Sequence, residues 1–288
     1  MQAVVNIHNA IRGFEYTNLT CAFDTILTSL LVLYDSETTQ NKLLFGSALP
    51  YLSSSFDKLL DGSTSYALTK QQILNKIFYD VEGGFKRNSN QMIAFVTEFL
   101  FNPMTLSNTL SDQEHYFLLY YDDIKSCTNE CCEINGSITT PRETCIIATS
   151  HDLNHESSMN AMISEFFHNN RRHYYCETCG IRMAEEKSIT KLPRVIYISL
   201  CGTPITYDID REIIINDVHY VLMVVTYSGS GHFTCRMNYN NRVVEYDGLK
   251  AGGKFRDVND INAFNGVIRE LGNTKREAVQ IFYKMRDD

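Results

Sequence analysis

The stretch Gly13-Phe14-Glu15-Tyr16-Thr17-Asn18-Leu19-Thr20-Cys21-Ala22-Phe23-Asp24-Thr25 carries a polar loop into a helix, and the change falls at a cysteine. Phe23, Ile26, Leu27, Leu30, Leu31 and Tyr34 follow the i, i+3, i+4, i+7 spacing of a helix with one buried face. Thr20 stands where an N-cap belongs, and Asp24 falls in the first turn, near the positive end of the helix dipole. A thiol at that end is favoured as thiolate, and a nearby imidazolium would lower its pKa further. Taken alone, Cys21 reads as one more small buried apolar residue, which is what most free cysteines are.

The downstream sequence changes that reading. Some 210 residues later an apolar run, Tyr220 to Val225, is followed by Gly231-His232-Phe233, and a further strand pattern closes on Tyr246-Asp247. Gly229, Ser230 and Gly231 ahead of His232 give a flexible loop that a substrate backbone could approach closely. Cysteine hydrolases bring together a thiolate, a base and an orienting carboxylate from distant parts of the chain. Cys21, His232 and Asp247 are therefore the candidate nucleophile, base and orienting group of a cysteine protease.

A second constellation is made of cysteines alone. Cys176-Glu177-Thr178-Cys179-Gly180 has the spacing of a zinc knuckle, with Gly180 permitting the tight turn. Cys127, Cys131 and Cys132 lie about 44 residues upstream and offer the other half of a tetrahedral four-thiolate site for Zn²⁺. The expected ligands are Cys176, Cys179, Cys127 and either Cys132 or Cys131, with Cys132 slightly favoured. The competing reading is a set of adventitious thiols on a surface hairpin. Cys145, Cys201 and Cys235 alternate with apolar neighbours on strand patterns and read as core.

Composition bounds the remaining classes. With 288 residues, 44% of them hydrophobic and 21% charged, the chain can build a large core and is not generally disordered. The net charge of −8 and the lack of a basic run argue against a nucleic-acid partner. No apolar stretch approaches the length of a membrane span, and residues 1–12 lack a signal-peptide core. Nine cysteines, an odd number with two close clusters, fit metal and catalysis in a reducing compartment, the cytoplasm or nucleus. Residues 20 to about 115 read mostly helical, including Gln91 to Phe101. From Tyr116 onward the patterns are strands, interrupted by a helix over Ser158 to Phe167. Helices followed by sheet predict an α+β fold with the site in the cleft between them.

Four blocks of this sequence resemble, in order, those of the ubiquitin-specific protease family. The family's cysteine block, Gly-Leu-x-Asn-x-Gly-x-Thr-Cys, is similar to Gly13 through Cys21. Its Tyr-x-Cys-x-x-Cys and Lys-x-Leu-Pro-x-Val blocks are similar to Tyr174 through Cys179 and Lys191-Leu192-Pro193-Arg194-Val195. Its Gly-His-Tyr/Phe and aromatic-Asp blocks are similar to Gly231-His232-Phe233 and Tyr246-Asp247, and its last strand to Ala278 through Tyr283. The resemblance implies a papain-like single catalytic domain over 1–288. It would have a helical thumb (1–115), β fingers with a zinc ribbon and part of the palm (116–200), and a palm carrying His and Asp (201–288). It also implies a monomeric, intracellular deubiquitinase (in a host cell, if the source is viral) that cleaves (iso)peptide bonds after the Gly-Gly terminus of ubiquitin through a thioester. SUMO or another relative of ubiquitin is the alternative substrate, and a ubiquitin-binding pseudoenzyme the alternative class.

The departures from the family pattern are specific. Tyr16 stands where the family has an Asn that donates to the oxyanion, so Tyr16 or Asn18 becomes the candidate donor, along with backbone amides at the helix start. Asp24 replaces an Asn, as in a divergent branch reported to act on SUMO. Gly248 replaces an acidic residue, and the chain has no Trp.

Overall fold

The structure is a computed structural model that describes residues 11–17, 20–79, 116–127, 129, 132, 137–144, 146–148, 158–168, 175–200, 209–258, 264, 267–269 and 275–287. Asn18, Cys131, Cys145, Cys201 and the helix expected over Gln91 to Phe101 lie outside these residues.

Helices lead and strands follow. Among the described residues the leading helices are α1 (Cys21–Asp35), α2 (Thr39–Ala48), α3 (Pro50–Leu60) and α4 (Tyr66–Tyr79). Strands β1 (Leu119–Cys127), β2 (Ser137–Thr144) and β4 (Met183–Lys191) form an antiparallel three-stranded sheet in the order β2-β1-β4. A larger sheet takes nine strands among the described residues. Its path is β10 (Arg256–Asp257), β9 (Arg242–Tyr246), β8 (His232–Tyr239), β7 (Val218–Gly229), β12 (Lys275–Met285), β5 (Val195–Ser199) and β3 (Ile146–Ala148). Off this path, β6 (Glu212–Ile215) pairs with β7 and β11 (Val267–Arg269) with β12. Helix α5 (Met159–His168) realises the helical interruption expected near Ser158.

The large sheet is covered on both faces, which explains its continuous apolar runs. In β5, Val195 and Tyr197 join the cluster built around α1, whereas Ile196 and Ile198 join the opposite cluster with Met159, Met162 and Phe167 of α5. The hairpins β6–β7, β7–β8 and β8–β9 turn on Asn216-Asp217, Ser230-Gly231 and Asn240-Asn241, all at positive φ. Two left-handed residues in a row are what a two-residue hairpin needs to match the twist of its strands. The supposed flexible loop before His232 is thus a tight turn, and His232 is the first residue of β8, paired with Gly229.

Helix α1 departs from the one-faced pattern that its spacing predicts. Fourteen of its fifteen residues are buried, because helices cover one side and β8 the other. Two of its buried hydroxyls bond to the helix's own backbone: that of Thr25 donates to the Cys21 carbonyl (2.7 Å) and that of Ser29 to the Thr25 carbonyl (2.8 Å). Beyond its C-terminus, buried Glu37 accepts from the Tyr116 hydroxyl (2.6 Å) and from Arg194 at 3.2 and 3.1 Å. A charge buried between the helices and the sheet is tolerated only when paired in this way. Among the described residues no helix is long and apolar enough to cross a membrane.

Candidate active site and metal centre

The loop ahead of Cys21 is held by the segment that follows Asp247. The Gly13 amide donates to the Gly253 carbonyl (2.8 Å), and the Tyr16 amide to the Gly248 carbonyl (3.0 Å). The Tyr246 hydroxyl donates to the Phe14 carbonyl. These contacts explain three glycines. A Cβ on Gly13 would overlap the Tyr246 ring, one on Gly248 would lie 2.7 Å from the Tyr246 hydroxyl, and one on Gly253 would overlap the Gly13 carbonyl. Gly13→Ala should therefore displace the Tyr246 ring and lower stability by about 1–3 kcal/mol in urea unfolding. A change below a few tenths of a kcal/mol would show that the clamp yields freely.

The clamp brings the start of α1 against the β8–β9 hairpin, and there Cys21, His232 and Asp247 meet. His232 Nε2 lies 2.7 Å from Asp247 Oδ1, and the Cys21 sulfur is near enough to the same imidazole to help raise its pKa. Asp247 Oδ1 also accepts from the Leu249 amide (3.1 Å), and its second oxygen lies 3.2 Å from Lys250 Nζ. Burial alone would lower the His232 pKa, but the Asp247 carboxylate and the Cys21 sulfur outweigh it and raise the value to about 9. Burial would raise Asp247, yet His232, the Leu249 amide and Lys250 bring it down to about 2. The Asp247 carboxylate thus faces a ring that favours the imidazolium form at neutral pH.

A pH dependence follows. The folded His232 value lies above the ordinary 6.5, so its contribution to stability is full below about 6.5 and is lost as pH rises through about 9. The Asp247 contribution is full above 3.8 and is lost as pH falls through about 2. An NMR titration should place the His232 midpoint near 9, and Asp247→Asn should move it down. A midpoint near 6.5 in the parent would mean that the carboxylate does not face the ring.

The site also contains residues that the sequence analysis missed. Lys70, from α4, is buried beside α1, with Nζ 2.7 Å from Asp24 Oδ1. It donates to the Glu15 carbonyl (2.8 Å) and to the Thr20 hydroxyl (2.9 Å). Burial raises the Asp24 carboxyl to about 7 even though Lys70 and Thr20 pull it down. Thr20 does occupy the N-cap position, but its side chain makes no cap bond. An absent cap costs about 1 kcal/mol. The one available signal was Asp24 itself, an acid on a helix of apolar residues, which calls for a buried cation. Of the oxyanion candidates, Tyr16 is half-buried with its amide tied to Gly248, and Asn18 lies outside the described residues.

The second site is at the end of the three-stranded sheet. The sulfurs of Cys127, Cys132, Cys176 and Cys179 all lie within 4.8 Å of one another. Cys127 and Cys179, and Cys132 and Cys176, are each 3.6 Å apart. A Zn–S bond of about 2.3 Å gives a tetrahedral edge near 3.8 Å, so these four residues fit zinc. Gly180, at φ +67°, lets its amide return to the Cys176 carbonyl (2.8 Å) and closes the knuckle. Amides of Cys179 and Thr178 lower the Cys176 thiol to about 6, and the Ile181 amide lowers that of Cys179. The Asn129 amide also acts to lower Cys127, but burial and the adjoining thiols leave it raised. Thiols lowered at two of the four positions suit a metal site, whose ligands must give up their protons. Cys235 is fully buried on β8, and burial raises its thiol to about 12, as expected of a core cysteine.

No family model matches the chain, and no curated protein sequence does. Solved structures do. The chain is similar to the SAGA DUB module Ubp8/Sgf11/Sus1/Sgf73 bound to monoubiquitin, at 12% identity and a TM-score of 0.65, covering 96% of this chain and 69% of the other. The module bound to ubiquitin aldehyde matches at 14% identity and TM-score 0.63, covering 96% and 70%. A yeast SAGA DUB structure with an Sgf73 variant matches at 12% and 0.60, covering 96% and 69%. At these identities the likeness shows the fold: a mixed helix and sheet architecture like that of the ubiquitin-specific protease Ubp8, here with a four-cysteine cluster.

Proposed function

We propose that the chain is a cysteine-type deubiquitinase that hydrolyses (iso)peptide bonds after the Gly-Gly terminus of ubiquitin. The observation that carries this reading is the meeting of Cys21, His232 and Asp247 within a fold whose solved examples hold monoubiquitin or ubiquitin aldehyde. The Cys21 sulfur attacks the terminal glycine carbonyl, and the carbonyl π electrons move onto oxygen. As the tetrahedral adduct collapses, His232 gives its proton to the departing amine and leaves a thioester on Cys21. Water, deprotonated by His232, then releases the glycine carboxylate and restores the thiol. Asp247 holds the ring in orientation and stabilises its charged form throughout.

In this reading the helices form the thumb, the large sheet the palm and the three-stranded sheet the fingers. Zinc would be held by Cys127, Cys132, Cys176 and Cys179 and would supply structural support to the fingers rather than chemistry. The nine cysteines and the reducing conditions that such a site needs favour an intracellular location. Since the matching structures are multi-subunit modules, association with further subunits is as compatible with this fold as a monomer.

A ubiquitin probe with a C-terminal electrophile, run beside a SUMO probe, tests the reading. Labelling by the ubiquitin probe that disappears in Cys21→Ala is the expected result. Labelling by the SUMO probe alone would reassign the substrate. Saturable ubiquitin binding with neither labelling nor turnover would make the chain a binding pseudoenzyme.

A further inference from the structure

Asp247 holds the His232 ring through one carboxylate oxygen, and its other oxygen has a partner of its own. Oδ1 meets His232 Nε2 (2.7 Å) and the Leu249 amide (3.1 Å), whereas Oδ2 meets Lys250 Nζ at 3.2 Å. The Asp247 side chain is 7% exposed and that of Lys250 66% exposed, so the ammonium reaches in from solvent to a buried carboxylate. The Lys250 backbone is fixed on both sides. Its amide donates to the Asp247 carbonyl (2.9 Å), and its carbonyl accepts from the Gly253 amide (3.2 Å), within the segment that clamps the loop ahead of Cys21.

An ion pair with both partners in water contributes little. Here one partner is buried, and a charge beside a buried group is screened less. The other charged groups of the neighbourhood are committed elsewhere. Asp24 of α1 pairs with Lys70 of α4, and Glu245 of β9 with Arg236 of β8 and Arg256 beyond it. The ring faces Asp247 and, from α1, the Cys21 sulfur. The carboxylate faces His232, the Leu249 amide and Lys250. An imidazolium held too tightly is a poor acid toward a departing amine and is slow to become the base that activates water. A cation on the second carboxylate oxygen weakens that hold and fixes the plane of the group.

We propose that Lys250 is a positioning residue for the His232–Asp247 pair: its ammonium fixes the second carboxylate oxygen and loosens the grip of Asp247 on the imidazolium, so that His232 can give up and recover its proton. The catalytic part of this rests on the reading of the chain as a deubiquitinase; the effect on the ring does not.

The test uses Lys250→Met, which keeps the side-chain length and removes the charge. At an exposed position such a change leaves the fold intact. With no substrate present, NMR should show the His232 midpoint rising by about 0.3–0.7 pH units, the size expected of a partly screened pair. Lys250→Arg should return it to the parental value. On a ubiquitin C-terminal ester, whose turnover is limited by thioester hydrolysis, kcat of Lys250→Met should fall about 2- to 5-fold below the midpoint, because the neutral fraction of His232 falls by that factor. Above the midpoint the two proteins should match. KM should stay within about 2-fold, as for a change that acts on the chemical step.

A purely structural role would lower kcat by one factor at every pH and leave the midpoint in place. That result, a midpoint within about 0.1 pH unit of the parent, or a midpoint that falls, overturns the proposal. If the parent cleaves no ester of ubiquitin or a ubiquitin-like protein while the midpoint moves as stated, the functional reading falls and the action of Lys250 on the pair stands.

Discussion

Cys21→Ser should reduce turnover of a ubiquitin C-terminal amide about 10⁴-fold or more, and His232→Ala should do nearly the same. Both losses have one origin. In the proposed mechanism His232 is the base for the Cys21 sulfur, which influences its ring at the junction of α1 and β8, so neither group acts without the other. Asp247→Asn should be milder, about 10²- to 10⁴-fold, because the clamp from Gly248 to Gly253 still holds the hairpin end in place. Each variant is to be compared with the parent by single-turnover kinetics and thermal melting. Parental cleavage by Cys21→Ser would mean that another residue is the nucleophile. Loss of folding in Cys21→Ala would return Cys21 to the core-residue reading.

The second large effect is expected at the four cysteines. Purified protein should carry about one zinc per chain, and structural zinc sites typically contribute about 10–16 kcal/mol of binding free energy. Among the described residues, the buried cluster at the far end of the three-stranded sheet is Cys127, Cys132 and Cys176, with Cys179 and Met183 packed against them. Replacing Cys176 and Cys179 with Ser should therefore abolish protection of β1, β2 and β4 in hydrogen exchange while β7, β8 and β12 stay protected. If the sheet grips substrate, KM should rise about 10-fold or more with kcat changed far less. Metal-free protein with the same exchange pattern as the parent would remove the site.

The sequence was most legible where geometry is local. The helix starting at Cys21, the knuckle Cys176 through Gly180 and the strands around His232 and Tyr246 all follow from short-range spacing, and the described residues realise them. The choice of Cys132 beside Cys127 was open on spacing alone, since neither gap is the usual two residues. Among the described residues, the Cys132 sulfur lies opposite that of Cys176. What could not be read was the work of residues that meet across the fold. Lys70 lies in an unremarkable polar stretch, yet from α4 its side chain reaches Asp24, Thr20 and Glu15, which are some 46 to 55 residues away in sequence. Ser230-Gly231 was read as a flexible loop from composition, whereas pairing of Gly229 with His232 makes it a tight turn. The one-faced reading of α1 failed because periodicity reports where apolar residues recur, and cannot tell that Thr25 and Ser29 are buried with their hydroxyls bonded to the helix's own carbonyls.

The strand order has a consequence in time. Strand β12 is the last in the chain, yet it lies inside the large sheet, bonded to β7 on one side and β5 on the other. A ribosome adding about 5–20 residues per second makes Cys21 roughly 10–40 s before His232, and β12 only after both. Until β12 arrives, β5 and β7 have a gap between them, and the sheet that carries His232 and Asp247 is split in two. The nascent chain therefore holds Cys21 well before His232, and the hairpin bearing His232 gains its support late. On the proposed reading, the closing of that one central strand is the event that completes the site.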